Sequence, residues 1–396
     1  MIIGIVGKPN CGKSTFFKSA TMADILIANY PFATIKPNTG VGHVRTRDAG
    51  ADLGRESTPR HGFRIGETRF VPVELIDVAG LVPGAHEGKG MGNQFLDDLR
   101  QADVLVHVID LSGSTNEGGE PVDRLSYDPA NDVRFLEDEL DHWYYGILRK
   151  GWEKFARQIS HEGKVDVALA KQLSGLSVRE EHIKGAIKRL SLGPDPRTWT
   201  DENLLALARD LRIGTKPIVV AANKADVPGA LENLERLRSS FPTLRIVPTS
   251  AESELALRSA AKEGFIAYAP GDSSFTYTEK GCSDKQRQAL GFIEKHVLGT
   301  LKSTGVQQVL DAAVFEELRY IAIYPGGVNN LEDSEGRVLP DCFLMPPGST
   351  ALDFAFKLHT DFGKGFIKAI DVRRRLPIGK DHRLNHGDVV EIHAKS

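Results

Sequence analysis

Gly7-Lys8-Pro9-Asn10-Cys11-Gly12-Lys13-Ser14 has the G-x-x-x-x-G-K-S spacing of a phosphate-binding loop, and Thr15 follows it. Gly7 and Gly12 let the backbone turn its N–H groups inward on phosphate oxygens. Lys13 supplies a point charge for the β and γ phosphates, and the Ser14 hydroxyl is a ligand for Mg²⁺. Cys11 and Thr15 belong to the same cradle. Such a loop does not separate ATP from GTP, but three later motifs do. Asp77-Val78-Ala79-Gly80 is a D-x-x-G sequence, in which Asp77 is expected to hold Mg²⁺ through water and the Gly80 N–H to meet the γ-phosphate. Asn223-Lys224-Ala225-Asp226 is an N-K-x-D sequence. The Asp226 carboxylate can accept from the ring N–H and the exocyclic amine of guanine, a donor pair that adenine lacks. Thr249-Ser250-Ala251 reads as the loop whose backbone supports the guanine oxygen, through Ser250 and Ala251.

These residues need strands to present them. Ile2–Val6, Phe70–Ile76, Val104–Ile109, Pro217–Ala222 and Arg245–Pro248 are apolar runs of strand length. A motif closes four of them, which is the edge where open α/β sheets bind ligands. A helix from about Ser14 to Ala23 aims its N-terminus at the anion. Between the strands at Val104 and Pro217 the chain is far longer than such a core needs. Residues from about 133 to 212 read as a helical insertion. Leu140, Trp143, Tyr144, Ile147, Leu148, Trp152, Phe155 and Ile159 fall on one face of an amphipathic helix. Ser177-Val178-Arg179-Glu180 reads as a capping box opening a second helix, and Asp201–Leu211 as a third. A second insertion is expected at about 252–303, and Val306–Tyr320 reads as the helix that closes the sheet.

Composition narrows the class. The chain has 396 residues, a hydrophobic fraction of 41% and a formal net charge of -3, which excludes a globally basic nucleic-acid binder. Cys11, Cys282 and Cys342 form no CxxC pair, so neither a zinc site nor a disulfide framework is expected, and a cytoplasmic location fits. The N-terminus runs straight into the first motif with no basic leader. No apolar run reaches membrane-spanning length, so no membrane partner is expected.

Asn29-Tyr30-Pro31-Phe32-Ala33-Thr34-Ile35-Lys36-Pro37-Asn38 resembles the first switch of the Obg and YchF GTPases, as does the run from Asp77 through Gly88, Gly90 and Gly92 to Leu96. Leu344-Met345-Pro346-Pro347-Gly348-Ser349-Thr350 and Asp353–Thr360 resemble a TGS domain, a ubiquitin-like β-grasp module. The whole chain is similar to YchF-type proteins, particularly their archaeal branch. The resemblance implies an α/β P-loop GTPase domain over 1–319 and a TGS domain over 320–396. It implies that Thr34 ligates Mg²⁺ and senses the γ-phosphate, and that the Gly-rich run after Gly80 is the second switch. The best-known YchF relatives degrade the N-K-x-D motif and prefer ATP. This chain keeps Asn223, Lys224 and Asp226, so GTP and GDP are its expected ligands. An ATPase of the same fold is the alternative, and a P-loop kinase of a small acceptor ranks behind it.

Leu81 stands where many GTPases have the glutamine that orients the attacking water, so turnover is expected to be slow and no catalytic base is assigned. Asn10 occupies the position that coordinates a monovalent cation in potassium-activated relatives, which makes K⁺ a candidate activator; the rival reading is that Asn10 only shapes the loop. Among histidines, His86 lies in the Gly-rich run, whereas His107 sits within an apolar strand and reads as a core residue. Cys11, near Lys13 and a helix N-terminus, is either a low-pKa redox switch or a small space-filling residue, the latter being preferred. Acidic residues cluster at Glu332, Asp333, Glu335 and Asp341, and basic ones at Arg373, Arg374, Arg375, Lys380 and Arg383. The late cluster, with the helical insertion, is expected to meet RNA or the ribosome, and the protein is expected to be a monomer.

Overall fold

A computed structural model describes residues 1–21, 38–78, 98–162 and 164–395. Its strands, in chain order, are β1 (Ile2–Val6), β2 (Thr39–Arg47), β3 (Phe63–Ile65), β4 (Thr68–Asp77), β5 (Val104–Asp110), β6 (Ile218–Asn223), β7 (Arg245–Pro248), β8 (Ile266–Ala267), β9 (Thr276–Tyr277), β10 (Ile321–Pro325), β11 (Phe343–Met345), β12 (Phe366–Asp371), β13 (Leu376–Ile378) and β14 (Val389–Ala394). The chain divides into two units, Met1–Phe16 with Ile76–Ala251, and Phe17–Leu75 with Glu252–Ser396.

In the first unit β1, β5, β6 and β7 pair in parallel in that order. β5 and β6 are buried along their whole length, as parallel strands covered on both faces must be. That demand is why Val104–Ile109 and Ile218–Ala222 are apolar without alternation. Register places Asp110 beside Asn223, so the last residues of the two strands emerge side by side.

The helical insertion lies between β5 and β6. The aromatic stripe belongs to two helices rather than one: Ala130–Arg149 and Trp152–Glu162 are separated at Gly151, whose φ of +74° suits glycine and ends helical geometry. Leu140, Trp143, Tyr144 and Leu148 are buried on the first helix, and Trp152 on the second stacks on Trp199 at 5.7 Å. A short helix follows at Val165–Gln172, and the one after it begins at Glu180, not at a Ser177 cap. Ser177 closes the short Ser174–Leu176 turn at φ +59°, and the Arg179 N–H donates to His182 Nδ1 at 3.2 Å. Helix Asp201–Thr215, capped by Thr200, packs along Ala130–Arg149. Between these two helices Arg212 and Asp141, both buried, pair at 2.9 Å, and Arg209 reaches the same carboxylate at 2.7 Å.

In the second unit β3 pairs antiparallel with β4. Helix Ala251–Lys262, which enters this unit at Glu252, and helix Asp284–Ile293 have β8 and β9 forming a small hairpin between them. Leu257, Ile266, Phe275, Leu290 and Val297 form one core. Helix Val306–Asp311 continues as a wider π-type turn over Ala312–Glu317. The C-terminal part is a five-stranded sheet ordered β11-β10-β14-β12-β13, in which only the central β10–β14 pair is parallel. Helix Ala351–Leu358 covers it, burying Ala351 and Phe354 with Ile323, Met345, Ala369, Leu384 and Val390. This is the expected β-grasp. Its early acidic cluster is not a free surface. Glu332 pairs with Arg55, Asp333 with Arg60 and Arg337, and Asp341 with Arg60. Buried Arg69 adds hydrogen bonds to the carbonyls of Leu339 and Pro340. Of the late basic cluster, Arg373 pairs with Asp52 and Arg374 with Asp371.

Candidate nucleotide-binding site

The phosphate loop leaves β1 at Val6 and enters the helix Lys13–Thr21. Gly12 has φ +95°, and a Cβ there would collide with the Asn223 side-chain amide. A Cβ on Gly7 would lie 2.5 Å from the Val108 carbonyl oxygen. Both glycines are therefore demanded by close backbone approach and, at Gly12, by a left-handed turn. Asn10 also takes a positive φ, +61°, and its Nδ2 donates to the Gly119 carbonyl at 2.9 Å.

Lys13 and Asp77 converge. The Lys13 ammonium pairs with Asp77 Oδ1 and donates to the Val78 carbonyl at 2.9 Å, while the Val78 N–H donates to the Ile5 carbonyl at 3.0 Å. The charge expected on phosphates and the carboxylate expected toward the metal thus share one place. Ser14 is exposed beside them in the first helical turn, with Thr15 next to it. A hydroxyl and a carboxylate are hard oxygen donors, a set that fits Mg²⁺. Thr34, Gly80, Leu81 and His86 lie outside the described residues.

Asn223, at the end of β6, joins three segments. Its Nδ2 donates to the Cys11 carbonyl at 3.0 Å, and its Oδ1 accepts from the Ala251 N–H at 3.0 Å. The Ala225 N–H donates to the Thr249 carbonyl at 3.0 Å, so the loops after β6 and β7 are stitched together, with Ser250 and Ala251 buried. Lys224 has φ +62°. Asp226 is half-buried, and its carboxylate makes no hydrogen bond or ion pair among the described residues.

Two sequence expectations are decided by burial. Cys11 is fully buried, and that burial pushes its thiol up to about 11, against the lowering effect of the Lys13 backbone N–H and ammonium. The redox-switch option fails on that ground and the space-filling reading stands. His107 is a core histidine: burial, with a contribution from the Lys8 ammonium, holds its imidazole down to about 3.

Sequence reasoning missed a buried polar network behind the loops. Lys8 donates to the Thr115 carbonyl at 2.9 Å and to Asp132 at 3.0 Å, and lies over the Tyr127 ring, whose hydroxyl donates to the same carboxylate at 3.0 Å. Asp110 accepts from Lys224 at 2.8 Å and from the hydroxyls of Ser112, Ser114 and Thr115. The available signals were a lysine inside the phosphate loop and a carboxylate closing an apolar strand. Within the second unit, Arg258 donates to the carbonyls of Ser19 and Ala20 at 2.7 and 3.1 Å, capping the far end of the phosphate-loop helix. Arg258 is itself paired with buried Glu254, which Tyr268 and Thr304 also bind.

Comparison with known proteins agrees with this arrangement. Residues 2–136 match the family model described as 50S ribosome-binding GTPase, residues 221–328 the G4 motif-containing domain of the Obg-like YGR210-like GTPases, and residues 335–394 the TGS domain. The chain is 46% identical over 392 residues to an uncharacterized GTP-binding protein of Methanocaldococcus jannaschii, covering 99% of this chain and 98% of that protein. It is 30% identical to a ribosome-binding ATPase YchF of Pasteurella multocida, covering 92% and 86% respectively. The crystal structure of a GTP-binding protein from Pyrococcus horikoshii OT3 is similar over the full length of both chains, with a TM-score of 0.80 and 40% identity. The chain belongs to the Obg-like, YchF-type family of GTP-binding proteins, with a P-loop GTPase domain and a C-terminal TGS domain.

Proposed function

We propose that this protein binds GTP with Mg²⁺, hydrolyses it slowly to GDP and phosphate, and uses the difference between the two states to signal to an RNA-containing partner. The observation that carries the nucleotide choice is Asp226: a half-buried carboxylate with no partner among the described residues, beside a Lys224 whose ammonium is held elsewhere. It is left to accept from the guanine ring N–H and amine, and adenine would leave it unpaired. Lys13 and the backbone N–H groups around Gly12 would hold the β and γ phosphates. Ser14 and Asp77, with Thr34, would hold Mg²⁺, which supplies charge neutralisation across the β and γ phosphate oxygens. Water attacks the γ-phosphorus, the bond to the β–γ bridging oxygen breaks, and GDP leaves with that oxygen's electron pair. With leucine at position 81 in place of a water-orienting glutamine, the rate would be on the order of 10⁻³ s⁻¹ or below.

Titration with GTP and ATP, followed by single-turnover hydrolysis, tests the reading; ATP binding tighter than GTP sinks it in favour of the ATPase alternative, which the similarity to the YchF ATPase supports. Asn10 would serve an activating K⁺, since its amide nitrogen is tied to Gly119 while its Oδ1 has no hydrogen bond among the described residues. Equal rates in K⁺ and Na⁺ buffers dismiss that role. The RNA or ribosome link rests on the TGS domain and on the ribosome-binding name of that relative. Salt-dependent co-sedimentation with ribosomes tests it, and absence of binding at low salt with either nucleotide refutes it.

A further inference from the structure

We infer that Asp110 is a positioning residue for the purine base, acting through Lys224 to set how well the site tells guanine from adenine. The inference deepens the guanine-nucleotide reading and rests on it. Asp110 is the last residue of β5 and is fully buried, and strand register sets it beside Asn223, the first residue of the base-reading motif. Its Oδ1 accepts from the Ser112 N–H at 3.1 Å and the Ser112 hydroxyl at 2.5 Å. Its Oδ2 accepts from the hydroxyls of Ser114 and Thr115, both at 2.9 Å, and from the Lys224 ammonium at 2.8 Å. The four donors from residues 112–115 lock the carboxylate in one orientation. They also satisfy it, since a carboxylate offers about four lone-pair sites, so burial alone does not require the lysine.

Lys224, by contrast, reaches solvent, with 29% of its side chain exposed, and could keep its ammonium in water at little cost. It is held at both ends instead: the backbone by a φ of +62° and the tip by Asp110. A free lysine stem carries rotamer entropy, which binding would have to remove. A stem already fixed at its tip would offer a purine a ready apolar wall. Asp226, two residues on, reads the base only if the ring arrives in register, and recognition of this kind tolerates errors of about 0.5 Å. The segment that carries the hydroxyls also supplies the Gly119 carbonyl to Asn10 and the Thr115 carbonyl to Lys8, so the base clamp and the phosphate loop share one support.

The test is a set of equilibrium affinities for GDP, ADP and inorganic pyrophosphate, measured on the full chain for wild type, Asp110→Asn, Lys224→Met and the double variant. Asp110→Asn keeps the shape but weakens the hold on the ammonium. GDP affinity should fall about tenfold, the size of one charge-assisted hydrogen bond. Pyrophosphate affinity should stay within about twofold, and the preference for GDP over ADP should narrow. In the Lys224→Met background the Asp110 substitution should add nothing. Equal losses for GDP and pyrophosphate, an unchanged GDP affinity, or a full Asp110→Asn effect in the Lys224→Met background each overturn the inference. If Asp110→Asn does not fold, Thr115→Val takes its place by removing a hydroxyl from the oxygen that holds Lys224; it should weaken GDP about twofold to threefold and leave pyrophosphate unchanged, and no loss of GDP affinity overturns the inference. A wild type that prefers ADP overturns the guanine reading alone. The same split, taken between ADP and pyrophosphate, then decides the role of Asp110.

Discussion

His107 offers a test that joins the fold to the catalytic question. It sits in β5, paired in register with Val6 of β1 and Val220 of β6, and is 2% exposed. Burial and the Lys8 ammonium hold its imidazole at about 3 in the folded chain, against an ordinary value of 6.5. The folded value is depressed, so the unfolded chain takes up the proton first as pH falls. The stability that His107 contributes as a neutral ring is complete above pH 6.5 and is lost as pH drops from there toward 3. Between pH 7 and pH 5 the unfolded state gains about 2 kcal/mol from protonating this one residue, and the folded state gains almost nothing. His107→Phe keeps a planar ring and removes the proton. Guanidinium unfolding of both proteins at the two pH values should give a difference of differences of about 2 kcal/mol, with every other histidine cancelling. Trp143, Trp152 and Trp199 are the chain's only three tryptophans, and all lie in the same unit as His107, so their fluorescence follows the correct transition. GTP hydrolysis at neutral pH should be the same within about twofold, since a buried, neutral core ring takes no part in proton transfer. Identical pH dependence in the two proteins would show that the ring is wet or already charged. Loss of hydrolysis in His107→Phe would place His107 among the catalytic groups and refute the core assignment.

Three further outcomes follow from the geometry. Asp226→Ala removes the acceptor for two guanine donors, each worth about 1.5–3 kcal/mol to a charged group, so GTP affinity should fall by roughly two to four orders of magnitude while ATP affinity stays nearly constant in the same titration. Asp141→Ala leaves Arg212 buried and deprived of its closest carboxylate in the helical insertion, which should destabilise that region by about 3–5 kcal/mol in tryptophan-monitored unfolding; a loss under about 1 kcal/mol would mean that Glu137, already 3.3 Å from Arg212, takes over. Cys11, with a thiol pushed up to about 11 and no exposed surface, should resist alkylation in the native protein at neutral pH and react on denaturation; rapid native labelling mapped to Cys11 would contradict its burial.

What could be read in the sequence was whatever local chemistry encodes. Gly12 must be glycine because its turn is left-handed and the Asn223 side chain presses on it, and such a residue is visible in a string of eight letters. β5 and β6 are legible because two covered faces demand a nearly continuous apolar run, interrupted in β5 by His107. The helix break at Gly151 was not, since glycine inside a helical pattern usually costs about 1 kcal/mol and is tolerated; at this position it takes φ +74°. The same limit applied more strongly to charge. Composition shows acidic residues clustered early in the C-terminal region, and a solvated face is the usual reading of such a run. The fold instead pairs Glu332 and Asp333 with Arg55 and Arg60, more than 270 residues upstream, and no periodicity connects such partners. Lys8 with Asp132 and Lys224 with Asp110 are likewise more than 100 residues apart. A buried charge must find an opposite charge or a set of hydrogen-bond donors, whatever its separation along the chain. The physical rule therefore gives more than the pattern does: Asp110 at the end of an otherwise apolar strand required a cation or several donors. The hydroxyls of Ser112, Ser114 and Thr115 answer it, and the lysine of the N-K-x-D motif on the adjacent strand joins them.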